Sequence, residues 1–332
     1  MNVLSLFDGM SCGQIALTNL GCFPAKYYAS EVDKFAIQQT RHVFPDTIHI
    51  GDVTKVDVSK LDKIDLIIGG SPCQSFSFAG KQAGMATTEN IEITDLDQYL
   101  DLKIMGFEFT GQSYLFWEYM RILTEVRKYN PDVKFLLENV VMSKKWEAVL
   151  TNAIGVDPVK INSNLLSAQN RKRLYWTNIA EITQPKDEGI FIRDILEDNV
   201  DEKYYVSDRA LAGVINREKT KGFGGRVVSP DGKANTLCVS NGSRDRNLII
   251  AASRERVCED GKSNCLTTGR KKENPLIENR GTLRRLTPLE CARLQTVPDW
   301  YEWIVSNTQI YRMCGNGWTV RVIEHILKNL FV

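Results

Sequence analysis

Residues 2–21 read NVLSLFDGMSCGQIALTNLG, and their order decides the fold. The run from Asn2 to Phe7 has strand length and breaks at Asp8 and Gly9. After Ser11, Cys12 and Gly13, the stretch QIALTNL has helical apolar spacing and stops at Gly21. Strand, glycine-containing turn and helix make the opening unit of a nucleotide-binding α/β sheet. The turn lacks the full G-x-G-x-x-G spacing, so alone it is a weak dinucleotide signature.

Working outward, KYYASEVD (26–33) reads as a second strand with Glu31 and Asp33 at its end, and KFAIQQTRHVF (34–44) as a helix. TIHIGDV (47–53) is a short strand stopping at Asp52, and KIDLIIGG (63–70) is the next. Strands alternating with helices predict a parallel sheet with ligands at the strands' carboxyl ends. SYLFWEYMRILTEVRKY (113–129) is an amphipathic helix, with Leu115, Tyr119, Ile122, Leu123 and Val126 at helical spacing. VKFLLENV (133–140) is a buried strand carrying Glu138 near its end. Residues 85–112, between these, are polar and acidic and show little periodicity. The alternation fades near QPKDEG (184–189), the exit from a first domain. The chain closes with a helix over TPLECARLQTV (287–297), then MCGNGWTVRVIEHILKNLF (313–331), a glycine turn followed by an amphipathic helix.

The 332 residues are 43% hydrophobic and 25% charged, a globular composition with room for a large and a small domain. Net charge is only +1, yet residues 203–285 hold 18 Lys and Arg against 9 Asp and Glu. That concentration suits a polyanion partner on one lobe. The same region carries a K-x-N-x-L pattern twice, at Lys233 and Lys262, read as two similar loop-and-strand units. The N-terminus has no basic leader region, and no apolar run approaches the roughly 18 residues of a membrane span, so a soluble, intracellular protein is expected. The eight cysteines form no C-x-x-C pair and there are three histidines, which supports neither a zinc site nor a disulfide framework. Reduced thiols, mostly packed as small hydrophobes, are the expectation.

Glu31 and Asp52 end successive strands, a placement that fits a nucleoside whose ribose hydroxyls and adenine amine want carboxylate acceptors. The lack of a P-loop lysine favours S-adenosylmethionine over ATP. Cys73 lies in GGSPCQSFSFAG (69–80), on the loop after the fourth strand, where a reacting side chain is exposed while the sheet holds it still. A buried core thiol is the competing reading. Glu138 either enters the same cleft or is an exposed strand-end acid.

SPCQSFSFAG, LLENV, QNRKRLYW, RRLTPLECARLQTVPDWY and CGNGWTV, in this order, resemble the motifs of the cytosine-C5 DNA methyltransferase family. The resemblance covers the first 180 residues and the last 50. LFDGMSCG and the Trp of GNGWTV are similar to the animal de novo enzymes, whereas SPCQSFSFAG looks bacterial or phage-like. The resemblance implies an α/β fold: a Rossmann-like S-adenosylmethionine-dependent methyltransferase sheet with a second, smaller β-rich target-recognition domain. It assigns residues 1–185 to the catalytic domain, 186–302 to DNA recognition, and 303–332 to a segment returning to the catalytic domain.

The same resemblance implies that Cys73 adds to cytosine C6 and makes C5 nucleophilic, which is covalent catalysis. A free thiol titrates near ~8.5, so the site is expected to favour thiolate through nearby arginines. Glu138 is expected at cytosine N3 and the exocyclic amine, and Arg171 and Arg173 at the flipped nucleotide and its phosphate. Phe7, Gly9, Glu31, Asp52, Pro72, Asn316 and Val320 would line the cofactor pocket. Ser71, Gln74, Ser75, Asn139 and Gln169 would contact substrate, with no metal. The target base must leave the duplex. Double-stranded DNA is the implied partner, with a cognate restriction endonuclease as a possible companion in the same system, no membrane association, monomeric action and a cytoplasmic, prokaryotic or phage setting. Two alternatives keep the fold: a tRNA cytosine-5 methyltransferase and a catalytically silent DNA-binding regulator.

Overall fold

The computed structural model describes residues 1–73, 76, 84–206, 227–237, 248–250 and 283–331. Its centre is a seven-stranded sheet of β1 (Asn2–Leu6), β2 (Lys26–Ser30), β3 (Ile48–His49), β4 (Leu66–Gly70), β5 (Lys134–Val140), β6 (Val159–Asn162) and β7 (Lys172–Thr177). The strand order is β3-β2-β1-β4-β5-β7-β6. β7 runs antiparallel to β5 and β6, and the remaining pairings are parallel. Strand order reverses between β1 and β4, and open α/β sheets bind ligands outside the carboxyl ends of strands at such a point.

Two apolar clusters cover the sheet. One packs α1 (Cys12–Asn19) with the C-terminal helices α7 (Asn307–Asn316) and α8 (Val320–Leu327), through Ile15, Leu17, Ile310, Val322 and Ile323. The other packs α4 (Phe116–Tyr129) and α5 (Lys144–Ile154) through Trp117, Tyr119, Ile122, Leu123 and Leu150. α1 comes very close to the sheet: a Cβ at Gly13 would lie 2.1 Å from Ile68 Cδ1. α2 (Lys34–Val43) begins where Asp33 accepts hydrogen bonds from the backbone N–H groups of Phe35 and Ala36. α6 (Pro288–Leu294) carries a full capping box between Thr287 and Glu290.

Several sequence expectations change. The acidic stretch 85–112 contains α3 (Leu96–Ile104), which buries only Tyr99 and Leu102 and so shows little periodicity. The third strand shrinks to two residues, because Asp52 turns the chain into a 3₁₀ turn over Val53–Lys55. β6, α5 and α7 are additions to the expected elements; MCGN ends α7 and is no free turn.

A small sheet of β8 (Val227–Val228), β9 (Leu248–Ile250) and β10 (Leu283–Arg285) lies within the expected recognition domain. Ile192, Ile195, Ala234, Ile249, Leu286 and Cys291, from the same part of the chain, share a core cluster with α8. Most of the basic segment lies outside the described residues, including the second K-x-N-x-L unit and the first beyond Leu237. Among the described residues, no helix is long and apolar enough to cross a membrane.

Glu118 ties the helical layer to the sheet's ligand edge. It is fully buried in α4 and accepts from Tyr99 Oη (2.6 Å), Lys103 and Arg121 Nε (2.6 Å). Arg121 in turn donates to the carbonyls of Val53 and Val56 (3.2 Å each), fixing the turn that follows Asp52. Removing one member of a buried ion pair strands the other, at a cost of about 3–5 kcal/mol. Glu118→Ala should therefore lose roughly that much stability in urea titration, whereas the exposed Glu302→Ala should lose under about 1 kcal/mol.

Candidate active site

The loop after β1 is built from uncommon backbone. Phe7 (φ 59°), Gly9 (φ 59°) and Ser11 (φ 64°) all lie in the left-handed region, two of them without glycine's freedom. This turns the backbone N–H of Gly9 toward Glu31 Oε2 (2.8 Å). Glu31 Oε1 accepts from Val32 and Asp33 N–H at 2.7 and 2.8 Å, so three amides fix the carboxylate that ends β2. Asp52 is fixed similarly, accepting from Thr54 N–H at 2.9 Å.

These groups line one side of a cleft of ≈ 370 Å³, within the roughly 300–1,000 Å³ of small-molecule sites. Its wall includes Phe7–Met10, Glu31–Asp33, Asp52, Gly70–Cys73, Glu138, Arg171, Arg173, Arg312 and Gly315–Trp318. Among the described residues of the wall, five carboxyls stand against three guanidiniums and no lysine, which suits a nucleoside bearing a sulfonium and an ammonium better than a polyphosphate. Arg312 of α7 pairs with Asp33 across the rim (3.2 Å).

At the far end stand the groups with chemistry. Cys73 is half-buried on the loop after β4, closed by a turn in which Phe76 N–H donates to its carbonyl (3.0 Å). Asn139 Nδ2 donates to Ser71 Oγ (3.0 Å) and Ser71 O (3.2 Å), tying that loop to β5. Glu138, 8% exposed, pairs with Arg173 Nε through Oε1 (2.8 Å) and accepts from Trp318 Nε1 through Oε2 (3.1 Å). β5 and β7 are antiparallel neighbours, which brings Glu138 beside Tyr175 and places Arg173 two residues along.

Placement differs from the sequence expectation at several residues. Arg171 is 4% exposed and donates to the carbonyls of Leu237 (3.2 Å), Gly315 (3.3 Å) and Gly317 (2.9 Å). Its N–H groups are committed to backbone, so it acts on the cleft through charge and by holding the segment before α8. Val320 is fully buried in the core because it opens α8, and Trp318 takes the expected place in the wall. Asn139 is 1% exposed and holds Ser71 from behind the cleft. Gln169 is fully buried outside the cleft wall, and its side-chain amide has no partner among the described residues. Gln74 and Ser75 lie outside the described residues. Phe7, Gly9, Glu31, Asp52, Ser71, Pro72, Cys73, Glu138, Arg173 and Asn316 share the cleft. Sequence reasoning missed Asp8, Val32 and Arg312, although Asp8 and Val32 adjoin residues it had singled out.

Electrostatics set the thiols apart. Burial pushes Cys12 up to about 12, and its sulfur donates to Trp318 O at 3.7 Å, a packing thiol. Cys73 is also raised, by burial and by the Glu138 charge, while Arg173 and Arg171 oppose the rise. The expectation of a ready thiolate is thus corrected: the resting thiol is held protonated, because desolvation and the neighbouring carboxylate outweigh two cations. Burial also pushes Asp8 up to about 6, against hydroxyl groups of Ser5, Ser11 and Tyr27 (2.9 Å from Tyr27 Oη).

The fold and the cleft define an α/β enzyme that binds a nucleoside cofactor beside a cysteine and a glutamate. The C-5 cytosine-specific DNA methylase family matches residues 1–101 and 162–332, and the chain belongs to that family. It is 30% identical to the type II methyltransferase M1.ScrFI of Lactococcus lactis subsp. cremoris, over 91% of this chain and 71% of that protein. It is 25% identical to the orphan methyltransferase M.SPRI of Bacillus phage SPR, over 99% of this chain and 97% of that protein. The fold matches the crystal structure of the S. pombe Dnmt2 methyltransferase with TM-score 0.66 and 19% identity, covering 100% of this chain and 99% of that one. The protein is a DNA cytosine-5 methyltransferase whose cofactor is S-adenosylmethionine. The acidic cleft fits that cofactor: Phe7, Gly9, Glu31, Asp52 and Asn316 would hold it.

Two measurements test the electrostatics. Asp8 titrates near 3.8 unfolded and about 6 folded, so its penalty is absent below the first value and complete above the second. Asp8→Asn should gain about 3 kcal/mol on wild type between pH 4 and pH 8, measured by urea unfolding at each pH. Alkylation of Cys73, followed by peptide mass spectrometry, should quicken with rising pH. Glu138→Gln should speed it and Arg173→Ala should slow it.

Proposed function

We propose that the chain methylates C5 of a cytosine turned out of duplex DNA, through a covalent bond between Cys73 Sγ and cytosine C6. The observation that carries this reading is Cys73 and Glu138 in one cleft, flanked by Arg173 and Arg171. Cytosine C5 is too weak a nucleophile to attack an alkyl group unaided, and addition of a thiolate to C6 turns the C5–C6 double bond into an enamine. Cys73 passes its proton to the Glu138 carboxylate, forms the S–C6 bond, and pushes the π electrons toward C5 and N3. Glu138 delivers a proton to N3 and accepts the exocyclic N–H, so charge on the ring is neutralised as it forms. Bound S-adenosylmethionine supplies a sulfonium methyl as the electrophile. The C5 proton then passes to water, N3 returns its proton to Glu138, and expulsion of Cys73 as thiolate restores the aromatic ring.

The base must enter between Cys73 and Glu138, which requires flipping. Arg173 and Arg171 hold positive charge beside both groups. Residues 186–302 serve as the recognition domain, where the lysines and arginines of 203–285 neutralise phosphates and read base edges. Residues 303–332 return to the catalytic domain, where α7 supplies Arg312 and the link between α7 and α8 supplies Trp318 to the cleft. The protein acts as a monomer. The matching relatives include a type II and an orphan methyltransferase, and the chemistry proposed needs no endonuclease.

The deciding experiment gives the protein tritiated S-adenosylmethionine with duplex DNA or with tRNA, then maps the product by bisulfite sequencing. The expected outcome is 5-methylcytosine in one short DNA context. Cys73→Ala should lower transfer by at least about 10³-fold, and DNA carrying 5-fluorocytosine should trap a covalent complex with wild type alone. Full transfer by Cys73→Ala would overturn the covalent route, label on tRNA alone would change the substrate, and DNA binding without transfer would make the protein a regulator.

A further inference from the structure

Among the described residues Glu138 has a charged or donor partner on each carboxylate oxygen, and the two come from distant parts of the chain. Arg173 on β7 holds Oε1 at 2.8 Å, and the indole N–H of Trp318 holds Oε2 at 3.1 Å. Trp318 is itself pinned: its carbonyl accepts from Cys12 Sγ (3.7 Å), and Thr319 Oγ1 donates to Gln295 (2.9 Å). Gly317 O accepts from Arg171 at 2.9 Å. The end of β4 makes room for the contact, since a Cβ at Gly70 would lie 2.7 Å from Trp318 Nε1 and 3.1 Å from Glu138 Oε2.

We propose that Trp318 is a positioning residue for Glu138. An indole N–H donates and cannot accept, so it fixes the rotation of the carboxyl group without competing for the proton that Glu138 passes on. With both oxygens held from the protein side, their remaining lone pairs face the space beside Cys73. A glutamate free to rotate would present the wrong oxygen to cytosine N3 for part of the time. Arg173 alone cannot prevent this, because one donor leaves the rotation about the last side-chain bond broad. The inference rests on the reading of Glu138 as the residue that addresses N3.

The test compares Trp318→Phe, Glu138→Gln and the double variant. Trp318→Phe keeps the ring and deletes the N–H; kcat should fall about tenfold while KM for DNA and for cofactor stays within about twofold. Release of tritium from C5-labelled cytosine without cofactor should fall by the same factor, and affinity for S-adenosylhomocysteine should not change. In the Glu138→Gln background, Trp318→Phe should add less than about twofold, since the group it positions is gone. Wild-type kcat in Trp318→Phe beside an impaired Glu138→Gln overturns the proposal. So does a loss of S-adenosylhomocysteine affinity equal to the loss of activity, which would make Trp318 a wall of the cofactor pocket. Full activity in Glu138→Gln instead defeats the reading of Glu138 itself.

Discussion

Everything in this molecule depends on β1 pairing in parallel with β2 on one side and β4 on the other. Chain connections leave those two edges in opposite directions, so the loops after Leu6 and Gly70 part and leave a gap at the strands' carboxyl ends. The gap becomes a site because its walls are tied to the sheet by short bonds. The first loop hangs on Glu31 through Gly9, the loop bearing Cys73 is tied to β5 through Asn139 and Ser71, and the last wall is brought back by α7 and α8 from the end of the chain. Loss of sheet register would move all three together.

The cleft concentrates more acid than base, and the protein manages that charge by hydrogen bonding. Glu31 is satisfied by three backbone amides, Asp33 by two amides and Arg312, and Glu138 by a guanidinium and an indole. Asp8 is the exception, held by hydroxyls in a buried place, and its raised titration records the cost. A rigid acidic cleft favours ligands with positive centres and hydroxyl donors, which is the chemistry of the cofactor.

The sequence was most legible where local pattern and tertiary role coincide. β1, β2, β4 and β5 are apolar runs that end in glycine or in a polar turn, and α1, α2 and α4 follow them with helical spacing. α3 was illegible because only two of its nine residues are buried, and α7 because Cys314 and Gly315 look like part of a turn. The ordered motifs singled out residues that share the cleft, but not their orientation. Arg171 and Arg173 look equivalent in Q-N-R-K-R, yet one faces backbone carbonyls and the other Glu138: Arg171 stands just before β7, whereas Arg173 lies within it beside β5. Val320 was assigned to the cofactor wall, and only the start of α8 shows that its side chain turns into the core.

The charge balance around Cys73 explains how a thiol can be inert at rest and reactive with substrate bound. Glu138 raises the thiol's proton affinity and the two arginines lower it, while burial adds to the rise. On the mechanism proposed, Glu138 takes the thiol's proton and passes it to N3 as the base arrives, and while protonated it no longer holds negative charge beside the sulfur. The arginines remain, so the balance tips toward thiolate at the moment C6 stands within reach. A thiolate maintained at all times would gain little for catalysis and would be open to oxidation and alkylation, because reactivity follows the ionised fraction. Glu138 thus serves two ends of the reaction, the ring nitrogen and the nucleophile, and its orientation matters more than that of a residue with one partner. That is the physical reason for holding both of its oxygens, one from β7 and one from the far end of the chain.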